Sequence, residues 1–150
     1  MQKIKLCNSI VLIDDEDYDS ISSQTWYKNE TSFVNQDRVP IGNFILGYEG
    51  PLIVDHKDRN FRNNQKENLR LATHQQNCAN QGPKRGKYKG VSFHKGTGKF
   101  QVHLQRGEEK VYIGIFTSEV RAAKAYDELA KQYFGEFAYI NFPEENKCRL

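Results

Sequence analysis

Residues 52–77 read Leu52-Ile53-Val54-Asp55-His56, then a polar run to Asn68, then Leu69-Arg70-Leu71-Ala72-Thr73-His74-Gln75-Gln76-Asn77. Leu52-Ile53-Val54 is a short apolar strand that ends at Asp55-His56. Residues 57–68 hold Asn60, Asn63, Asn64 and Asn68, which favour turns and side-chain-to-backbone hydrogen bonds. Thr73 followed by Gln76 is a capping-box pattern, so a helix begins there, carries Asn77 and ends near Gly82-Pro83. The chain thus passes from strand to polar loop to helix, an order in which strand and helix can meet around one ion.

Those residue types point to a definite chemistry. The Asp55 carboxylate and the Asn77 amide oxygen are hard donors, suited to one Mg²⁺ or Mn²⁺ ion and not to Zn²⁺. His56 neighbours Asp55 but projects differently, and a neutral imidazole there is a candidate general base for activating water. Asn68 either orients His56 or braces the loop. Taken singly these signals are ordinary, since Asp-His pairs are frequent and Asn-rich loops are usually turns. Spacing, element order and capping box together carry the reading.

On the N-terminal side, residues 9–13 form a short strand, and the acids of residues 14–19 open a short helix, where they suit the dipole. A metal-binding acidic cluster is the sharper alternative. Trp26, Tyr27, Phe33 and Val34 are hairpin and core material, and Phe44-Ile45-Leu46 is a further apolar patch. The start of the chain lacks an apolar signal core, and no run of apolar residues is long enough for a membrane span. A cytosolic protein is expected. Cys7, Cys78 and Cys148 are odd in number, far apart and outside any CxxC pair, so neither a zinc knuckle nor a disulfide framework is indicated. Cys78 is expected to be a buried or half-buried thiol.

Beyond a basic linker at residues 83–87, three strand-like runs follow at 88–94, 99–105 and 110–116, with turn signals between them. Phe100, Val102 and Leu104 alternate with Gln101, His103 and Gln105, so one sheet face is apolar and the other polar. A helix over 118–134, closed by Gly135, places Val120, Ala123, Tyr126, Leu129, Ala130 and Tyr133 at helical spacing. Its alanines let it lie close on the apolar sheet face. Residues 1–82 carry 9 Lys/Arg against 11 Asp/Glu and residues 83–150 carry 13 against 8, so the halves stand at −2 and +5. A basic C-terminal module suits a polyanion. The fold class is α+β, with a first domain at 1–82, the linker, a sheet-and-helix domain at 88–143 and a tail at 144–150.

Val54-Asp55-His56-Lys57-Asp58, Glu67-Asn68-Leu69-Arg70 and Thr73-His74-Gln75-Gln76-Asn77 resemble the HNH endonucleases, in the Asn-ended variety found in phage and homing endonucleases. The resemblance implies a ββα-metal fold, a single divalent ion and phosphodiester cleavage. By position it implies Asp55 and Asn77 as metal ligands, His56 as the general base and Asn68 as the middle Asn. His74, one turn before Asn77, is either an approach to the site or an exposed first-turn residue.

The second half, from Tyr88-Lys89-Gly90-Val91 to Tyr139-Ile140-Asn141-Phe142-Pro143, is similar to the ethylene-response-factor (Apetala-two) DNA-binding domain, which lays a three-stranded sheet in the major groove. That similarity implies DNA contacts at Lys89, Ser92, His94, Lys99, His103, Gln105, Lys110 and Tyr112. The plant family is richer in Arg and Trp there, so fewer bidentate guanine contacts and looser specificity are expected. The leader, with Leu12-Ile13-Asp14-Asp15-Glu16-Asp17-Tyr18, Trp26 and Phe44-Ile45-Leu46-Gly47, resembles the start of phage proteins of this kind. It departs from them at Ile41-Gly42-Asn43, where relatives usually carry a His-Arg pair. It departs again at Asp58-Arg59-Asn60, where Gly is common and Asn60 is expected to take the left-handed conformation. The implied function is a metal-dependent DNA endonuclease acting on double-stranded DNA in a host cytoplasm. No membrane and no small-molecule cofactor are involved; a monomer is the working expectation, although the residues do not fix the oligomeric state. The alternative is a catalytically inactive DNA-binding protein or regulator.

Overall fold

The computed structural model describes residues 1–143; the tail and Cys148 lie outside the described residues. The chain forms two compact units, Met1–Thr73 and a second beginning at His74. Among the described residues no helix is long and apolar enough to cross a membrane.

The first unit opens with a hairpin of β1 (Gln2–Leu6) and β2 (Ser9–Ile13). Its two-residue turn, Cys7-Asn8, has φ of 45° and 61°, the signs a type I′ turn demands. The sequence reading places only the second strand, because Cys-Asn is a weak turn signal and Gln2-Lys3-Ile4-Lys5-Leu6 is largely charged or polar. In the hairpin Ile4 and Leu6 turn inward with Val11 and Ile13. The acidic run becomes a 3₁₀ turn (Asp15–Asp17) running into α1 (Tyr18–Ser22), as its composition suggests. A short pair, β3 (Tyr27–Lys28) and β4 (Phe33–Val34), follows. Phe33, Ile13 and Ile21 are fully buried, each stabilising the unit by roughly 1.5–3 kcal/mol.

The Phe44-Ile45-Leu46 patch is the end of a helix, α2 (Ile41–Leu46), stopped by Gly47 in the left-handed region at φ 57°. Gly42 lets this helix lie against the next strand: a Cβ there would come within 2.9 Å of Val54 Cγ1. That strand, β5 (Ile53–His56), pairs antiparallel with β6 (Leu69–Ala72), setting Asp55 opposite Arg70 and His56 opposite Leu69.

The second unit comprises α3 (His74–Asn80), β7 (Val91–His94), β8 (Lys99–Arg106), β9 (Glu109–Phe116), α4 (Glu119–Phe134) and a 3₁₀ turn (Gly135–Phe137). The sheet is antiparallel in the order β7-β8-β9. Val102 and Leu104 on β8 are fully buried against Ala122 and Ala130 of α4; small side chains bring helix and sheet together. Ser118 caps α4 by accepting from the Arg121 N–H, and Gly135 closes it at φ 53°. This three-stranded sheet on one helix is the α+β arrangement expected of the second half. Two positions of the expected helical stripe differ. Val120 and Tyr133 are exposed, and Phe134 is buried in their place. Tyr133 instead receives the Arg106 guanidinium over its ring, 5.2 Å from the centroid.

Two further differences concern boundaries. β7 starts at Val91 and not at 88, because Gly90 sits at φ 78° with its missing Cβ facing the Tyr126 ring. The sequence reading gives α3 to the first domain, whereas the compact unit that holds it is the second. The reason is packing: Ala79 is part of the second core, and its carbonyl accepts from the Tyr139 N–H at 3.0 Å.

Buried Asp127 of α4 fastens the end of the described chain. Its Oδ1 accepts from the Asn141 N–H (2.8 Å) and Nδ2 (2.9 Å), and its Oδ2 from the Phe142 N–H (2.9 Å). Asn141 Oδ1 in turn accepts the Lys89 N–H at 2.8 Å. Burial pushes the Asp127 carboxyl up, only partly opposed by these hydrogen bonds and by Lys131.

Candidate functional site

In the first unit the β5–β6 pair and the loop between its strands gather Asp55, His56 and Asn68. Asp55 is buried, and its Oδ2 accepts from Arg70 Nε and from Arg70 Nη2, both at 2.9 Å. The pair register explains this, since the two residues face each other across the ladder. Arg70 lies outside the residues that sequence reasoning assigns a role. The guanidinium therefore holds the carboxylate in place.

The loop is organised by short polar side chains. Asn68 Oδ1 accepts the Asp58 N–H (3.0 Å), while its Nδ2 donates to Asp58 Oδ1 (2.9 Å) and to the Asn63 carbonyl (2.7 Å). These contacts tie the loop together. Asp58 also accepts from the Asn60 N–H and from Asn63 Nδ2, both at 2.8 Å. Burial pushes the Asp58 carboxyl up, but the hydrogen bonds from Asn60, Asn63 and Asn68 and the nearby His56 outweigh it and hold it below its usual value. The left-handed residue of the turn is Arg59 at φ 64°, and not Asn60. Its N–H closes the turn on the His56 carbonyl at 2.9 Å, while Asn60 uses its side chain to accept the Arg62 N–H.

His56 Nε2 lies 3.0 Å from Oδ1 of Asn64, a fully buried side chain that sequence reasoning counts only among the turn formers. The leader secures this part of the loop. Leu12 and the loop exchange backbone hydrogen bonds: the Leu12 N–H donates to Arg62 O (2.7 Å) and the Asn64 N–H to Leu12 O (2.8 Å). Asp14 accepts the Lys66 N–H at 2.8 Å, and the Lys66 ammonium pairs with Glu16 and Asp17. The acidic run thus clamps the loop. Among the described residues no group of three or more His, Cys, Asp or Glu is arranged to hold a metal ion.

Asn77 is half-buried on α3, so the first unit by itself assembles Asp55, His56 and Asn68 without it. His74, the first residue of α3, is exposed, with Nε2 3.5 Å from Cys78 Sγ. Cys78 is exposed too, contrary to the expected buried thiol, because the helix turns Ala79 and Asn80 inward instead.

At this point the geometry can be set beside known proteins. Residues 44–79 match the HNH endonuclease family. The match runs from α2 through the β5–β6 pair into α3 and so contains all four motif residues. The chain is also similar to plant transcription factors of Arabidopsis thaliana. It is 35% identical over 75 residues to the AP2-like ethylene-responsive transcription factor ANT, covering 43% of this chain and 14% of that protein. It is 29% identical over 116 residues to AP2-like ethylene-responsive transcription factor AIL5, covering 71% and 20%. With ethylene-responsive transcription factor WRI1 the figures are 37% over 68 residues, 39% and 16%. The chain therefore spans a fifth or less of the length of these three relatives.

The HNH region is accompanied by an exposed sheet face in the second unit. Ser92 and His94 on β7, Lys99, His103 and Gln105 on β8, and Lys110 and Tyr112 on β9 lie on it, opposite the buried Val102 and Leu104. His103 pairs with Tyr112, their rings 5.2 Å apart, and Gln105 pairs with Lys110. Burial, and then the Lys110 charge, hold the His103 imidazole below its usual value, which favours its neutral form. Gln101 stands between Ser92 and Ile115 on the same face and is not among the expected contacts, although the alternation that places His103 and Gln105 there places it there too. Lys89 differs from the other seven. Its ammonium donates to the carbonyls of Cys78 (3.1 Å), Ala79 (2.6 Å) and Gln81 (2.6 Å), the C-terminal end of α3. A cation there complements the helix dipole, which engages Lys89 inside the unit.

Proposed function

We propose that this chain is a metal-dependent DNA endonuclease whose second unit holds duplex DNA on the outer face of its sheet. The observation that carries the reading is the combination at the end of β5: a buried carboxylate backed by Arg70, beside an imidazole tethered to the loop, inside the segment that matches HNH endonucleases. His56 takes a proton from a water, which attacks the scissile phosphorus in line; the 3′ oxygen departs. Asn68 keeps the loop shaped so that His56 stays at the strand end. Asp55 would supply a hard oxygen donor to one Mg²⁺ or Mn²⁺, a hard cation. When bound, the ion supplies charge neutralisation at the phosphate and leaving oxygen. Ser92, His94, Lys99, His103, Gln105, Lys110 and Tyr112 offer hydrogen bonds and charge to the DNA. The absence of Arg among them favours modest base discrimination.

The test is incubation of supercoiled plasmid with the full chain and Mg²⁺ or Mn²⁺. Nicking or linearisation that His56→Ala abolishes, with duplex affinity retained, is the expected result. Binding without cleavage at every metal and salt concentration would refute the enzyme reading. Lys110→Ala should reduce the salt dependence of binding by about one counterion.

A further inference from the structure

We infer that Asn64 is the positioning residue for His56: it fixes the imidazole as the Nε2–H tautomer and so makes Nδ1 the atom that accepts the proton from water. The inference rests on the nuclease reading for its catalytic meaning and on geometry for the rest. Asn64 is fully buried, and its side chain has two named engagements. Its Nδ2 donates to the Phe61 carbonyl at 3.0 Å, and its Oδ1 faces His56 Nε2 at 3.0 Å. The Phe61 bond decides which end of the amide faces the ring. Flipped, the amide would set its oxygen against the Phe61 carbonyl oxygen, two acceptors at hydrogen-bond distance. With Oδ1 facing the ring, Nε2 has to be the donor, because an amide oxygen has only lone pairs. A neutral imidazole protonated on Nε2 carries its lone pair on Nδ1.

The support extends back to the hairpin. The Asn64 N–H is held by the Leu12 carbonyl on β2 at 2.8 Å, so the orienting group is pinned to a strand and does not ride on a free loop. The middle Asn of the motif, Asn68, is spent on Asp58 and the Asn63 carbonyl. Division of labour between the two asparagines follows: Asn68 shapes the loop, and Asn64 aims the base.

The experiment is a long-range ¹H–¹⁵N spectrum of the imidazoles of the full chain without added metal, in mildly alkaline solution. The expected result is a single Nε2–H tautomer for His56, with its ring proton protected from water. A dominant Nδ1–H form, or an unprotected Nε2–H, overturns the proposal; this measurement needs no variant. Asn64→Ala should remove the protection and lower kcat by roughly 10- to 100-fold at unchanged KM. A folded Asn64→Ala chain with unaltered ring-proton exchange and kcat also overturns it. Should that variant fail to fold, the wild-type ring-proton measurement alone decides: a water-exchanging Nε2–H or a dominant Nδ1–H form overturns the proposal. A wild-type chain that shows the protected Nε2–H but never cuts DNA supports the placement of the ring and sinks the nuclease reading instead.

Discussion

Gly90→Ala is expected to destabilise the second unit severely, for two separable reasons. Gly90 has φ 78°, in the left-handed region where a Cβ costs about 1–2 kcal/mol. Its Cβ would also lie 2.1 and 2.4 Å from Tyr126 Cδ2 and Cε2 and 2.7 Å from the His103 carbonyl oxygen. The Tyr126 ring is itself buried between helix and sheet, and the carbonyl belongs to β8, so neither neighbour can swing away cheaply. Overpacking of this kind costs typically about 1–3 kcal/mol, so the sum is roughly 2–5 kcal/mol. That is a large share of the stability of about 5–15 kcal/mol usual for a domain. The lone tryptophan, Trp26, sits in the first core, so its fluorescence is the wrong probe. Native-state hydrogen exchange of the β8 amides is the right one. The His103 N–H, bonded to the Gly90 carbonyl at 2.9 Å, should lose protection first. A loss below about 1 kcal/mol would refute the packing argument. In a Tyr126→Ala background the added cost should shrink toward the backbone share, and strict additivity would show that the ring is not what excludes a methyl group at position 90.

Three other outcomes follow from the same geometry. Lys89→Ala removes an ammonium from three carbonyls at the end of α3 and should cost about 1–3 kcal/mol of stability; thermal unfolding measures it, and a DNA-binding defect with unchanged stability would return Lys89 to the DNA face. Asp55→Ala leaves the half-buried Arg70 guanidinium without this buried carboxylate and should destabilise the first unit by about 3 kcal/mol as well as ending cleavage; Trp26-monitored denaturation checks it, and an unchanged midpoint would show the ion pair to be dispensable. Asp58 is held below its ordinary value of 3.8, so its contribution to stability is complete above that value and is lost as pH falls through the lower folded value. A carboxyl NMR titration should therefore place its midpoint under 3.8, with Asn60 and Asn68 amide protection falling in the same window; a midpoint at or above 3.8 would contradict the network described around it.

Much of the candidate site is legible in the sequence. A short apolar run marks β5, the capping box marks the start of α3, and period-two patterning separates the two faces of β8. These are local signals, set by the geometry of strand and helix. Legibility fails where a partner distant in sequence decides. Arg70 finds Asp55 only through β-sheet register, and Asn64 meets His56 only because Leu12 of the hairpin holds the loop. Residues 57–68 contain four asparagines, and composition gives no reason to choose Asn64 over Asn68 as the one that faces the imidazole.

By itself, then, the sequence determined the order of elements, the α+β class, the basic character of the second half and the cluster Asp55-His56 with its asparagines. Tertiary structure decided what each of these residues faces. It gave α3 to the second unit through Ala79, set the Lys89 ammonium on the carbonyls at the end of that helix, and put Asn64 against the imidazole. The physical reason is common to all three. A polar group taken out of water must find its partner wherever the fold supplies one, and neither spacing nor composition records a partner that lies far along the chain.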